Sequence, residues 1–210
     1  LTKARCNMFF SMPPVTHALI VANLAVYLLQ LVADQTLIAY FALWPITTGA
    51  YDLPVDVGFM PWQLVTYSFL HGSSPHLFFN MLALYMFGSD LERVFGSRRY
   101  IVYYLACVIA AAVAQLLVAA ITGAPPYPTL GASGGVFGLL MAFALYFPRR
   151  TVVLIFPPVP LPAWLFVTLY GAVELFLGVT GTQAGVAHFA HLGGMLGGYL
   201  VLRYWRTRRR

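Results

Sequence analysis

The chain has 210 residues, 60% of them apolar and only 9% charged, whereas soluble domains are about 45–50% apolar and about 25% charged. This excludes an ordinary soluble domain and fits one integral membrane domain over residues 1–210. The two cysteines, Cys6 and Cys107, are too few and too scattered for a disulfide framework or a cysteine-ligated metal, and the net charge of +6 needs its placement read before it can imply a partner.

A helix that crosses a bilayer needs about 17–25 predominantly apolar residues. Six stretches qualify, over residues 15–37, 76–92, 100–122, 132–148, 161–179 and 184–204. Glycine and proline punctuate the gaps between them. The fourth stretch is short, which predicts that its first residues are recessed below the membrane surface. The first is longer than the core of a secretory signal and has no small-residue cleavage site after it. The expected fold class is all-α, a bundle of six transmembrane helices.

The basic residues set the orientation. Lys3 and Arg5 precede span 1. Arg93, Arg98 and Arg99 lie between spans 2 and 3, and Arg149 and Arg150 between spans 4 and 5. Arg203, Arg206, Arg208, Arg209 and Arg210 follow span 6. These are all twelve Lys and Arg of the chain, and with six spans they share one side. The positive-inside rule makes that side, with both termini, cytoplasmic. The charge is thus a topology signal and a contact for lipid headgroups, with no nucleic-acid partner implied. The expected setting is a prokaryotic plasma membrane.

The long 38–75 connection is rich in aromatics, among them Tyr40, Trp44, Tyr51, Trp62 and Tyr67, and is acidic only at Asp52 and Asp56. It is expected to lie in the outer interface, with Trp and Tyr at headgroup depth.

Three motifs fall at one depth. Gly131-Ala132-Ser133-Gly134 opens span 4, which runs inward. Span 6 carries Ala190-His191 with Gly194 and Gly198 beyond it, and at 1.5 Å per residue His191 lies about 10 Å below its outer end. His71, His76 and Asn80 surround the outer end of span 2. The pairs Gly134/Gly138 and Gly194/Gly198 are small-xxx-small signals for close helix approach in lipid. His191, Gly194 and Gly198, spaced by three and four, share a helix face. A close contact between spans 4 and 6 would bring His191 within reach of Ser133 as base and nucleophile, with Phe137 one turn below the serine to pack on the imidazole.

Each motif has an ordinary reading. Ser133 alone suits helix packing, His191 a buried hydrogen bond, and His76 with Asn80 an interhelical clamp. Their shared depth favours a site. A metal is the sharper rival, since His71, His76, His188 and His191 form two pairs. Zinc helices usually present histidines at i and i+4 with an acidic partner, so no metal and no cofactor are expected. His188 is then a polar neighbour at the site's mouth. Glu174, in the outer half of span 5, is either a third catalytic member or a protonated or hydrogen-bonded structural residue, and the structural reading is preferred. Asp90, Glu92 and Arg93 are expected to form a polar network at a helix end.

These residues resemble the rhomboid intramembrane serine proteases. The likeness rests on Gly131-Ala132-Ser133-Gly134, on Ala190-His191-x-x-Gly194-x-x-x-Gly198, on His76-Leu77-Phe78-Phe79-Asn80 and on Glu92-x-x-x-Gly96. It implies a rhomboid-like bundle whose first loop is partly embedded in the membrane. It implies Ser133 as nucleophile and His191 as base, a dyad without an acidic third member. It also implies His76 and Asn80 as oxyanion donors beside the Ser133 backbone N–H, and span 5 with its following loop as the route for substrate. Gly131, Gly134, Phe137, Gly194 and Gly198 would support that site. A Trp-Arg pair expected in the first loop is absent from 38–75.

The function expected is therefore an intramembrane serine endopeptidase that cleaves transmembrane helices of other proteins near their outer end. Its partners would be membrane protein substrates and the bilayer. Peptide hydrolysis needs water, so the site should be a hydrated hollow open to the outside. Two alternatives belong to other classes. A catalytically inactive relative that binds membrane helices would usually lack the serine or the histidine. A small transporter would need a polar path through the whole membrane, and the inner halves of spans 4 and 6 are apolar. Oligomeric state is not legible.

Overall fold

A computed structural model describes residues 12–46, 58–122, 127–153, 158–181 and 186–208. Cys6, Lys3, Arg5, Tyr51, Asp52, Asp56, Arg209 and Arg210 lie outside the described residues. The chain is mostly helical. Helix α1 is Pro14–Phe41, broken in its regular geometry at Ala33 (φ −134°, ψ 36°). A short α2, Gln63–Thr66, and a 3₁₀ turn, Tyr67–Phe69, follow. Helix α3, Ser74–Ala83, runs through a π-helical turn, Leu84–Gly88, into α4, Ser89–Phe95. Then come α5, Ser97–Thr122, α6, Ser133–Tyr146, α7, Ala163–Thr180, and α8, His188–Thr207. Between α6 and α7, strand β1 (Thr151–Val153) pairs antiparallel with β2 (Pro160–Pro162), an element the Pro- and Arg-rich gap did not suggest.

Helices α1, α5 and α7 are long and apolar enough to cross a membrane by length and composition, and α6 is apolar but shorter. Large apolar side chains point outward from all three: Val32, Ile121 and Val179 are 91%, 82% and 72% exposed. Water does not tolerate such contiguous apolar surface on a monomer. Lipid does, and this is an integral membrane protein.

Helix α5 forms the centre of the packing, with α8 and α6 against it. Its residues Tyr100, Tyr103, Tyr104, Cys107, Val108, Ala111 and Ala112 recur at spacings of three and four and are all essentially buried, which is one continuous helix face turned inward. Cys107, fully buried on this face, packs as a small residue. The aromatics of the first connection divide. Tyr40 and Trp62 are exposed, but Trp44 and Tyr67 are buried in the core, so these two are not interfacial anchors. Buried Gln63 ties this connection together. Its Oε1 accepts the Trp44 and Met60 N–H groups, and its Nε2 donates to the Gly58 carbonyl.

The basic residues among those described gather at one end of the bundle. Arg150 meets Asp90 at 2.7 Å, which joins the turn after α6 to α4. The Phe95 and Trp205 rings lie 5.8 Å apart, which brings in the last turns of α8. Ser133, at the start of α6, stands at the opposite end. Glu92, 2% exposed, closes the basic end from inside. Its carboxylate accepts the backbone N–H groups of Val15 and Thr16 at 3.0 and 2.7 Å, the Thr16 hydroxyl at 2.8 Å and the Ser97 hydroxyl at 2.6 Å. It thus caps α1, whose first N–H groups have no partner within the helix, and holds α5 beside it.

Replacing one carboxylate oxygen by an amide turns an acceptor into a donor facing donors. Hydrogen bonds to charged groups are worth about 1.5–3 kcal/mol each. Glu92→Gln is therefore expected to lower unfolding free energy in detergent by roughly 3 kcal/mol. A loss below about 0.5 kcal/mol, within the range of ordinary surface substitutions, would show that this clamp does not hold the bundle.

Candidate active site

Ser133 owes its position to the turn before it. The chain reaches α6 along a bridge in which Leu43 and Thr129 exchange backbone hydrogen bonds of 2.9 Å. Gly131 follows, its N–H donating to the Tyr67 carbonyl at 2.9 Å. Gly131 has φ +125°, a conformation side-chain-bearing residues rarely adopt, and a Cβ there would run into the His76 ring. Glycine thus makes the turn and admits the imidazole. Ser133 is the first residue of α6, where backbone N–H groups have no intrahelical acceptor.

His191 is brought to it by the contact of α6 with α8. A Cβ on Gly194 would collide with the Gly134 carbonyl oxygen, and one on Gly138 would press on Cys107 and the Gly194 carbonyl. The two backbones therefore touch, and His191 Nε2 lies 2.8 Å from Ser133 Oγ. Phe137 stacks on the imidazole with centroids 4.2 Å apart and planes within 4°. Gly198 serves a different contact from the one its spacing suggested. It faces Tyr103 and Cys107 of α5. Ser133 is half-buried and His191 is 9% exposed.

The far side of the imidazole is occupied as well. Glu174 Oε2 lies 2.8 Å from His191 Nδ1 and 2.6 Å from His188 Nδ1. Glu174 and His188 are each 5% exposed. The three ligand atoms lie within 4.8 Å of one another, a grouping that could hold a metal ion. The rival histidine set is split, since His71 and His76 pair with each other, their ring centroids 5.0 Å apart, and neither belongs to the Glu174–His188–His191 group. Glu174 was legible as an ionisable residue at membrane depth. The sign that it meets both histidines is their i, i+3 spacing, which puts them on one face of α8.

His76, Asn80, Ser133 and His191 line one cavity of about 810 Å³, with Tyr170 and Phe166 of α7 on another wall. Asn80 is 5% exposed, and its Nδ2 donates to the His76 carbonyl at 2.9 Å. His71 sits in the turn before α3, 2% exposed. Burial, and then the neighbouring His76, push its pKa down to about 4, so it is neutral at ordinary pH. Tyr67, expected only as an interfacial aromatic, is part of the site's support. Its hydroxyl donates to the Val108 carbonyl at 2.8 Å and stands beside Gly134, which fixes the floor under the serine's turn.

A serine hydroxyl thus meets an imidazole at a helix start, in a cavity that further side-chain donors line. Residues 58–208 match the Rhomboid domain, and the chain belongs to the rhomboid family. It is 32% identical over 142 residues to rhomboid protease GluP of Bacillus subtilis, which covers 67% of this chain and 25% of that protein. It is 33% identical over 150 residues to the mitochondrial rhomboid protein 1 of Saccharomyces cerevisiae, covering 66% and 40%. With rhomboid protease AarA of Providencia stuartii it shares 27% identity over 222 residues, 95% of this chain and 75% of that one. The chain thus spans less than half of the first two relatives.

Proposed function

We propose that this chain is an intramembrane serine endopeptidase that cuts transmembrane helices of other membrane proteins near their outer end. The observation that carries the reading is the 2.8 Å contact of Ser133 Oγ with His191 Nε2. In this mechanism Ser133 Oγ attacks the scissile carbonyl as its proton passes to His191 Nε2. The tetrahedral oxyanion turns toward His76, Asn80 and the Ser133 backbone N–H. His191 then returns the proton to the departing amine as the C–N bond breaks. Water, activated by the same imidazole, releases the acyl group from Ser133.

The test is labelling by a serine-directed fluorophosphonate together with cleavage of a reporter helix in proteoliposomes. The wild-type chain is expected to label and to cleave. Ser133→Ala is expected to do neither while its melting temperature stays within about 2 °C, since one hydroxyl is lost from a hydrated site. Normal turnover by that variant would end the proposal.

The six-span bundle is part of the same reading, with α3 through α4 counted as one span and both termini cytoplasmic. It rests on the segregation of every Lys and Arg to one side and on the opposite placement of Ser133. Single cysteines at 98 and 181 are expected to react with impermeant maleimide only from the cytoplasmic and outer sides, respectively. Labelling of position 98 from outside would overturn the orientation.

Oxyanion donors act on a charge that exists only in the transition state. Asn80→Ala and His76→Ala are therefore each expected to lower kcat with little change in KM. The loss is about 10²–10³-fold for a main donor and less where the load is shared. An effect confined to KM would mean that they only bind substrate.

A further inference from the structure

We infer that Glu174 is the positioning residue of the catalytic histidine, making a Ser133–His191–Glu174 array where the family resemblance implies a dyad. The inference rests on the protease reading of the same site.

A neutral imidazole has one N–H donor and one bare nitrogen. Which is which decides whether His191 can act as base toward Ser133. Its Nδ1 faces Glu174 Oε2 at 2.8 Å, and its Nε2 faces Ser133 Oγ at 2.8 Å. His188 Nδ1 approaches the same Glu174 oxygen at 2.6 Å, and its Nε2 has no partner among the described residues. With Glu174 as a carboxylate, its Oε2 accepts from both ring nitrogens, and both Nδ1 atoms then carry hydrogen. His191 is thereby held with its bare Nε2 aimed at the serine hydroxyl. His188 donates the second bond that a buried charge requires.

The proton bookkeeping closes without any further reactant. As Oγ bonds to the carbonyl carbon, its proton moves to His191 Nε2 and the imidazole becomes a cation. The Nδ1 proton stays where it is, shared in the hydrogen bond to Glu174, whose charge offsets the new positive one. When the C–N bond breaks, the Nε2 proton leaves with the amine. Phe137 stacked on the ring prevents the imidazole from tilting, while Glu174 prevents it from flipping. Glu174 thus touches no substrate and acts through His191.

A carboxylate that only fastens α7 to α8 would make the same contacts, so the experiment must read more than stability. Glu174→Gln keeps the shape and removes the charge. In bilayers, kcat is expected to fall about 10²–10⁴-fold with KM within about threefold. The rate of fluorophosphonate labelling at Ser133 is expected to fall in parallel. A kcat within twofold of wild type would overturn the inference. The wild-type chain supplies a second reading that needs no variant fold. Its ¹⁵N-histidine NMR spectrum, with His191 assigned by loss of its signals in His191→Asn, is expected to show protonated Nδ1 and bare Nε2. The opposite tautomer would overturn the inference, as would loss of activity on chelation with recovery on added zinc, because a metal would then occupy both Nδ1 atoms. A wild-type chain that neither labels nor cleaves is a separate result and would remove the protease reading itself.

Discussion

The backbone contact between α6 and α8 is the constraint on which the site depends. Two helices with ordinary side chains between them pack with axes about 8–10 Å apart. A serine on one and a histidine on the other meet squarely only where the backbones come closer. Gly194 against the Gly134 carbonyl, and Gly138 against the Gly194 carbonyl, remove the intervening side chains. The 2.8 Å contact of Ser133 Oγ with His191 Nε2 is the outcome of that closeness. In lipid no hydrophobic effect drives helices together, and packing of small residues takes its place.

Such a bundle has few places to hide polar groups, and several of the buried ones have a partner that also ties two elements together. Tyr67 donates to Val108, and Tyr103 to the Gly138 carbonyl one turn below the serine's own turn. Glu92 gathers four donors from α1 and α5. A buried hydroxyl or carboxylate without a partner costs more than its bond gains, so these pairings restrict how the helices can slide. They hold the glycine contacts in register. The same logic at the other end gives Glu174 its two histidines, which ties α7 to α8 through one oxygen.

Much of this was legible in the residues. Period and apolarity gave helices close to those observed, because a stretch apolar on all sides has few alternatives. Ser133, His191, Phe137, His76 and Asn80 could be gathered to one depth because direction of travel and rise per residue are fixed by helix geometry. Contacts that depend on rotation about a helix axis were harder to read. Gly198 shares a face with His191 and Gly194, yet it meets α5, because α8 lies between two partners and its small residues serve both. Tyr67 and Trp44 come from a connection rich in aromatics, and composition alone does not separate an interfacial ring from a buried one. The β1–β2 pair has only three residues a side, too short for any periodic signal. Glu174 was visible as an ionisable residue in an apolar helix, but its angular position on α7 was not.

The short α6 links these contacts to depth. Its 14 residues rise about 21 Å, less than the roughly 30 Å of a bilayer's hydrocarbon core. Its start must therefore be reached by other backbone, and the Leu43–Thr129 bridge and the Gly131 turn supply it. Irregular backbone is tolerated at such depth only when protein covers it or it lines a hollow. Here both conditions hold, since Tyr67 accepts the Gly131 N–H beneath the turn and the cavity opens beside it. The short helix, the glycine turn and the hollow are thus one device. It places the start of α6, whose first N–H groups have no acceptor within the helix, beside a serine and an imidazole.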